Sequence, residues 1–472
     1  MEKPYDIIII GAGSAGLSVA AGGAAFGARI ALIESGRMGG ECLNTGCVPS
    51  KAFLRSAHLA GDIRNSGLYG LDAALGGVDL ARVMGRVNSI IQKIAPRDSR
   101  ERFESLGVDV FSASAEIVDR NTVRAGERRL KCSHIVIATG ALPLVPELPG
   151  LKNIPYYTNL DIFTLSKLPE HLILLGGGPA GLELGQGFRR LGSAVTVVER
   201  GGSLFPKDDP EVAPVMEAVF KREGMDIITS AKALEVRKEN GTIILTVESG
   251  RGKKEIKGDR LMVAAGRAPC TEGLNLAGAG IKTDARGYVA VDGRLRTNIG
   301  NIYACGDVTG QFQFTHMAAY QAGVIIRNII LGLPAKTDYS GVAWTTYTSP
   351  EVAHAGYTEA AARERGLFRE AVIVQLKEAD RALTDGEEDG FLKLVLGRGS
   401  VLIGATMVGG KAGETIPLAS LAIRNRLKAR AFADLIFPYP TQAEIFKSAS
   451  SVLFRRSLKG WMKALIKILF LN

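Results

Sequence analysis

The sequence predicts an α/β protein in which one strand–loop–helix–strand unit occurs twice, followed by a smaller α+β unit. Three observations carry this. Residues 5–10, Tyr-Asp-Ile-Ile-Ile-Ile, run straight into Gly11-Ala12-Gly13-Ser14-Ala15-Gly16 and a small-residue helix to about Gly27. The pattern returns at 171–199. From Gly341 onward the character changes: Val401-Leu-Ile-Gly-Ala-Thr-Met-Val reads as a strand and Ile416–Arg426 as a helix.

The first strand is read as parallel and buried, because a sheet covered on both faces needs a near-continuous apolar run. A second strand, Arg29–Ile33, ends in Glu34. A GxGxxG set between strand and helix, with an acid ending the next strand, is the dinucleotide fingerprint. Its glycines let a pyrophosphate approach the helix N-terminus, and Glu34 can take the ribose hydroxyls. The second copy is His171–Leu175, then Gly176-Gly177-Gly178-Pro179-Ala180-Gly181, a helix to about Leu191, and a strand Ala194–Val198 ending at Glu199. Two fingerprints predict two Rossmann-type domains and two dinucleotides. Glu199 favours the free 2′-hydroxyl of NADH, while the neighbouring Arg200 leaves NADPH as the alternative.

Between and after these units, Leu80 to about Leu106 reads as helical. His134-Ile-Val-Ile-Ala-Thr139-Gly140, Leu261–Gly266-Arg267 and Asn301–Gly306-Asp307 each read as a strand running into a glycine turn, and Leu142–Pro149 as a linker.

Gly39-Gly40-Glu41-Cys42-Leu43-Asn44-Thr45-Gly46-Cys47-Val48-Pro49-Ser50-Lys51 holds two cysteines five residues apart. Five residues of ideal helix rise about 7.5 Å, beyond the roughly 7 Å that bridged Cα atoms tolerate. A disulfide here needs a distorted turn, which Asn44, Thr45 and Gly46 can make. Pro49 suits the first turn of the following helix. A pair beside a helix N-terminus is expected to hold one thiol of lowered pKa. A purely structural bridge would close a very small loop and remove little unfolded-state entropy. Two dinucleotides and a dithiol in one chain suggest electrons passed from one cofactor to the other and then to sulfur.

Hydrophobic residues make up 46% and charged residues 22%, which is ordinary for a globular protein, and 472 residues suffice for two or three domains. Five cysteines (42, 47, 132, 270, 305) form no disulfide scaffold and no zinc spacing, and five histidines (58, 134, 171, 316, 354) form no cluster, so no metal site is expected. Cys132, Cys270 and Cys305 read as structural. The N-terminal residues lack a signal-type pattern, so a cytoplasmic protein is expected. Of the net charge of +10, six lysines and arginines with no acid lie after Glu444, a local excess that argues against a nucleic-acid-binding face.

The combination of Gly11–Gly16 with Glu34, Cys42–Cys47, Gly176–Gly181 with Glu199, and Gly306-Asp307 resembles the pyridine nucleotide–disulfide oxidoreductases from about residue 5 to 450. These flavoprotein oxidoreductases include dihydrolipoamide dehydrogenase, glutathione reductase and mercuric reductase. The resemblance implies an FAD-binding domain (1–148 and 271–337), an NAD(P)H-binding domain (149–270) and an α+β dimerisation domain (338–453) in a homodimer whose active site is shared across the interface. It implies that FAD is bound by Gly11, Gly13, Ser14, Ala15, Gly16, Glu34, Lys51, Ala115, Thr139, Gly140 and Asp307. Gly176, Gly178, Gly181, Glu199 and Gly266 are implied to bind the nicotinamide nucleotide. It further implies that the nicotinamide reduces the flavin, and the flavin a Cys42–Cys47 disulfide. Cys47 would then lie nearer the flavin and Cys42 would meet the acceptor, with Lys51 and Glu183 as the ion pair beside both cofactors.

The family's disulfide reductases carry His-Pro-Thr-x-x-Glu near the C-terminus, whose His serves the departing thiolate. Here the stretch is Phe437-Pro438-Tyr439-Pro440-Thr441-Gln442-Ala443-Glu444, with Tyr439 at the His position and Glu444 at the Glu position, and no histidine follows His354. A tyrosine of pKa about 10 is a poor base at neutral pH. Mercuric reductase also has tyrosine there, and a soft metal needs thiolates and two electrons rather than a proton shuttled to sulfur. The chain therefore resembles a mercuric reductase core and dihydrolipoamide-dehydrogenase-like proteins. No cysteine follows Cys305, so the mercuric reductases' second pair has no counterpart, and no CxxC precedes Cys42. A soft metal ion is the expected acceptor. The alternatives are a quinone (diaphorase) or lipoamide/disulfide acceptor, and a membrane-docked redox sensor with little turnover. An interface aromatic is the bland reading of Tyr439.

Residues 454–472 extend beyond this resemblance. Lys459, Lys463 and Lys467 make one basic stripe opposite Leu458, Trp461, Met462, Leu465 and Leu469. Three lysines exclude a spanning helix, leaving a basic amphipathic segment that lies on the inner face of an anionic membrane or packs on its own dimer.

Overall fold

A computed structural model describes residues 3–250, 252–458 and 467–469. The chain opens with β1 (Tyr5–Ile10), α1 (Ser14–Ala25) and β2 (Ile30–Glu34). It continues through α2 (Gly40–Asn44), α3 (Cys47–Arg64), α4 (Leu80–Ile94) and α5 (Arg100–Ser105) to β3 (Val108–Ser112), β4 (Ala115–Asp119), β5 (Thr122–Ala125) and β6 (Arg128–Ile137). Parallel pairing follows the order β3-β2-β1-β6, and β5 and β4 extend the far side as an antiparallel ribbon. Ile7, Ile8 and Ile9 are fully buried, each contributing about 1.5–3 kcal/mol, which is why an unbroken isoleucine run forms the central strand.

The second unit holds β7 (Ala141–Pro143), β8 (His171–Leu175), α6 (Pro179–Leu191), β9 (Ala194–Val198), α7 (Val212–Arg222) and β10 (Asp226–Ile228). It closes with β11 (Lys232–Glu239), β12 (Thr242–Ser249), β13 (Gly252–Gly258), β14 (Arg260–Val263) and β15 (Arg267–Pro269). Its parallel sheet has the order β10-β9-β8-β14, β11-β12-β13 form an antiparallel sheet, and β7 pairs β15. The chain then returns to the first sheet as β16 (Ile302–Ala304), parallel to β6, and continues into α8 (Thr315–Ile329).

Register places the functional loops. Ile10, Ile137 and Ala304 are paired partners across β1, β6 and β16. The chain ends that follow, Gly11–Gly16, Thr139–Gly140 and Gly306–Asp307, therefore share one edge, the edge where open α/β sheets bind ligands. In the second unit Leu175 is paired with both Val198 and Val263. That aligns Gly176–Gly181, Glu199 and Gly266 in the same way.

The C-terminal unit is an antiparallel sheet of β17 (Ala343–Thr346), β18 (Glu351–Gly356), β19 (Glu370–Gln375), β20 (Phe391–Leu396) and β21 (Leu402–Gly409), ordered β17-β18-β21-β20-β19. The helices Pro417–Arg424 and Ile445–Ser457 supply part of its core. It is tied to the second unit by Lys393, which is 1% exposed and pairs with Asp209 (3.2 Å), Glu211 (2.7 Å) and Glu359 (2.9 Å). Removing the acids around so buried a charge would leave it uncompensated, at a cost of about 3–5 kcal/mol.

The candidate active site around Cys42 and Cys47

The cysteine stretch lies flat on the first glycine loop. Gly40 has φ +57° and stands so close that a Cβ there would come 2.7 Å from Gly13 Cα. The N–H of Gly39 donates to the Ala12 carbonyl at 3.0 Å. Helix α2 lasts five residues. Thr45 (φ −145°, ψ 0°) and Gly46 (φ −117°, ψ −110°) then break it, and α3 begins at Cys47. The two cysteines thus end up on different helices, and Pro49 falls in the first turn of α3, where its missing N–H costs nothing.

Both residues are thiols here, Cys42 half-buried and Cys47 exposed. Cys47 Sγ lies 3.3 Å from the Thr315 hydroxyl at the start of α8. The Cys42 thiol donates to Cys47, which with burial holds the Cys42 pKa far above the usual thiol range. Hydrogen bonds from Thr315 and Ser14 pull the other way. That same Cys42 hydrogen bond brings Cys47 down to about 6; burial opposes it, while Thr315 and the Lys51 charge assist it. One thiolate and one thiol at neutral pH is the state of an activated dithiol.

Lys51 is placed by helix packing. Phe53 on α3 and Phe188 on α6 are both fully buried with ring centroids 4.8 Å apart. A Cβ at Gly187 would come 2.5 Å from Phe53, so glycine there lets α3 and α6 approach closely. Two residues before Phe53 and four before Gly187, Lys51 Nζ and Glu183 Oε2 meet at 2.8 Å. The other Glu183 oxygen accepts the Tyr347 N–H at 2.8 Å, and the Tyr347 ring lies under Lys51 with its centroid 4.5 Å from Nζ. Burial works against the ammonium, but Glu183 outweighs it and the Lys51 pKa is raised.

A second network reaches the cysteines from the other side. Glu41, next to Cys42, takes both ends of the Arg267 guanidinium at 2.7 and 2.6 Å, and Arg267 Nη2 lies 3.2 Å from Asp307. Arg267 Nε is buried without a partner. Burial raises the Asp307 pKa against the pull of Arg267.

Whether these loops suit nucleotides can be tested on the glycines themselves. Gly13 and Gly178 have ordinary extended backbones (φ −83° and −76°). A Cβ at Gly13 would meet nothing nearer than 4.0 Å, and one at Gly178 nothing within 4 Å. Neither conformation nor packing within the protein calls for glycine at either place, so the space kept open suits a group from outside it. Helices α1 and α6 begin there without a side-chain cap or an acid in the first turn, leaving N–H groups free for phosphate. Glu34 accepts from the N–H of Ala12 (2.6 Å) and Gly36 (2.7 Å), and Glu199 from Gly177 (2.6 Å) and Gly201 (2.5 Å). Each carboxylate steadies its loop and keeps lone pairs for a ribose diol. The residues fit a dinucleotide at each loop, as an FAD- and nicotinamide-dependent chain requires.

Of the residues singled out from sequence, Ser14, Cys42, Cys47, Lys51 and Glu183 are thus brought together. Thr139 donates to the Cys270 carbonyl at 2.6 Å, and Gly140 is left-handed with open space beside it. Gly266, at φ +129°, faces the Leu144 side chain. Ala115 starts β4, three strands from β1. Tyr439 is 72% exposed and donates to Asp380 at 2.9 Å, a bond that raises its pKa. Glu444 accepts the Thr441 N–H at 3.1 Å, ahead of the helix Ile445–Ser457. Among the described residues no hydrogen bond joins either to the cysteine pair within one chain. Cys132 and Cys305 are buried, and burial raises both thiols to about 12. Sequence reasoning gave no role to Thr315, Arg267, Glu41 or Tyr347. Thr315 lies 268 residues from Cys47 and carries no local signal, whereas an acid beside a reactive cysteine and an arginine after a strand-end glycine were visible.

The fold and site define the class. The chain belongs to the pyridine nucleotide-disulphide oxidoreductase family, whose sequence model matches residues 5–322 and whose dimerisation-domain model matches 342–450. It is an enzyme of that FAD- and NAD(P)H-dependent family. Within the family the chain is 34% identical over 450 residues to the mercuric reductase of Staphylococcus aureus, covering 95% of this chain and 82% of that one. It is 37% identical over 470 residues to that of Acidithiobacillus ferrooxidans, covering 97% and 84%. Among solved structures it resembles the Cu(II) complex of the HOCl-induced flavoprotein disulfide reductase RclA from Escherichia coli, with a TM-score of 0.85 at 28% identity, covering 96% and 100% of the two chains.

Proposed function

We propose that the enzyme passes two electrons from NADH to a soft metal ion, of which Hg(II) is the type, through FAD and the Cys42–Cys47 pair. The observation that carries this reading is a thiol–thiolate pair to which, among the described residues of the same chain, no histidine or carboxylate is hydrogen-bonded. Cys47 contacts the neutral Thr315, the His316 ring nitrogen Nε2 is engaged by the Ala343 carbonyl at 2.7 Å, and Tyr439 is held protonated by Asp380. Releasing a thiol from a disulfide substrate needs a proton delivered to sulfur; reducing a thiolate-bound metal does not. The mercuric reductase relatives and the Cu(II) complex of a structural neighbour support the same choice.

FAD, when bound, supplies the relay between hydride and dithiol. The chain's own part is to hold it on the first loop and to place Lys51, paired with Glu183, beside it. Cys47 is kept as thiolate by the Cys42 thiol. The metal takes both electrons and leaves uncharged, and the cysteines end as they began. Glu199 favours NADH as the donor. The dimerisation domain suggests a homodimer, in which Tyr439 and Glu444 of one subunit face the cysteine pair of the other. The basic residues from Arg455 onward support a cytoplasmic protein that lies against the inner membrane face. Arg455 and Arg456 are exposed on the helix that ends at Ser457, and most of the predicted amphipathic segment lies outside the described residues. No helix among those described is long and apolar enough to cross a membrane. The test is stoichiometric: NADH and Hg(II) in excess thiol are expected to yield one NAD⁺ per volatile metal atom trapped. NADH oxidation without metal release contradicts the reading.

A further inference from the structure

The C-terminal unit reaches the Lys51–Glu183 pair through the stretch that follows β17. Side chains of an extended chain alternate between faces. Thr346 and Thr348 are both buried, and Tyr347 between them takes the opposite face, where its ring meets Lys51 on α3. Helix α6 holds this stretch with two side chains three residues apart, and so on one face. Glu183 Oε1 accepts the Tyr347 N–H at 2.8 Å. The buried Gln186 amide accepts the Ser349 N–H at 2.8 Å and donates to the Ser349 carbonyl at 2.7 Å. Helix side chains thus stand in for a neighbouring strand, and the backbone of 347–349 is fixed without help from the side chain at 347.

The Tyr347 hydroxyl makes no hydrogen bond among the described residues, and the side chain is 38% exposed. Its ring face is what is engaged, with Lys51 Nζ 4.5 Å from the centroid. Lys51 needs such a wall. Its flexible side chain is 37% exposed, and Glu183 takes one of its three N–H donors, at 2.8 Å. A single ion pair lets an ammonium pivot about the carboxylate. An aromatic face on a second side attracts it to one place.

We propose that Tyr347 is a positioning residue for flavin reduction: its ring face, supplied by the dimerisation unit of the same chain, pins the Lys51 ammonium beside the flavin. Hydride transfer leaves negative charge on the flavin ring system, so a positive charge fixed beside it favours the reduced form. The C-terminal unit then helps to set the flavin potential as well as pairing subunits. This rests on the placement of Lys51 beside the flavin in the reading above, and it holds whether the acceptor is a metal or a quinone.

The test is the midpoint potential of the bound flavin. Tyr347→Leu keeps apolar bulk and the backbone bonds but has no aromatic face. It should lower the ratio of reduced to oxidised flavin at a fixed potential about tenfold, a shift of about 30 mV for a two-electron couple. Tyr347→Phe keeps the face, loses only the unbonded hydroxyl, and should match the wild type. In a Lys51→Met background, Tyr347→Leu should add nothing, because effects that run through one partner are not additive. Should Tyr347→Leu load flavin poorly, Cys47 serves as a flavin-free readout. The Lys51 charge helps to hold its thiolate, so the alkylation midpoint should rise in Tyr347→Leu and not in Tyr347→Phe. A potential or midpoint unmoved in Tyr347→Leu, an equal shift in Tyr347→Phe, or a shift undiminished in the Lys51→Met background overturns the proposal. A potential unmoved by Lys51→Met itself removes the placement of Lys51 beside the flavin, and this proposal with it.

Discussion

The two glycine loops are the same construction in different surroundings. Gly11–Gly16 and Gly176–Gly181 each follow a central parallel strand, open a helix with no side-chain cap, and are steadied by a glutamate at the end of the next strand. The difference lies on the open side. Against Gly13 lie Gly40 and the turn that carries Cys42, whereas nothing comes within 4 Å of a Cβ on Gly178. A repeated motif therefore gives two nucleotide sites, but only one is built into a dithiol. On the proposed function, the direction of electron flow resides in residues 39–51, and the motif alone does not set it.

The largest effect on cofactor binding should come from filling the open side of either loop. Gly13→Ala and Gly178→Ala add a methyl that the protein itself accommodates, so each is expected to fold. Gly13→Ala should purify largely without flavin. Gly178→Ala should keep its flavin and raise the KM for NADH by at least about tenfold, a penalty of roughly 1.4 kcal/mol. Flavin loss from Gly178→Ala, read from the visible spectrum, would break the comparison.

An effect on stability is expected where the two units meet. Lys51→Met leaves Glu183 buried with one hydrogen bond to Tyr347 and should lower stability by about 1–3 kcal/mol in urea unfolding. Lys51 is 37% exposed, which keeps the loss below that of a fully buried pair. Glu183→Gln, still able to accept the Tyr347 N–H, should cost less.

The smallest effect sharpens the thiol assignment. Because Cys47 is lowered to about 6 and the thiolate is the form that reacts, alkylation of the reduced protein should accelerate as pH rises through about 6, at Cys47 and not at Cys42. Thr315→Val removes a hydrogen bond that favours the thiolate, so the midpoint should move up by roughly half a unit. A midpoint unmoved in this variant would remove Thr315 from the site.

Most of this architecture was legible in the sequence because it is local. The isoleucine strand, the two GxGxxG loops with Glu34 and Glu199, and the interrupted helix between Cys42 and Cys47 each follow from neighbours within about thirty residues. What was not legible comes from contacts that close over long separations. Thr315 reaches Cys47, Tyr347 reaches Glu183, and Arg267 bridges Glu41 to Asp307. Each joins residues from elements that meet only after the sheets have assembled. The Lys51–Glu183 pair also spans 132 residues and was anticipated through the family resemblance, not from spacing.

If the dithiol, and not the flavin alone, delivers electrons to the metal, loss of Cys42 should silence one acceptor and spare another. The most direct measurement is NADH oxidation by the purified flavoprotein with Hg(II) in excess thiol and, separately, with a soluble quinone, comparing wild type with Cys42→Ala. The variant is expected to lose Hg(II)-dependent oxidation by at least about a hundredfold, some 2.7 kcal/mol of transition-state stabilisation, while quinone-dependent oxidation stays within a few-fold of wild type. Hg(II)-dependent oxidation that survives the loss of Cys42 would contradict it.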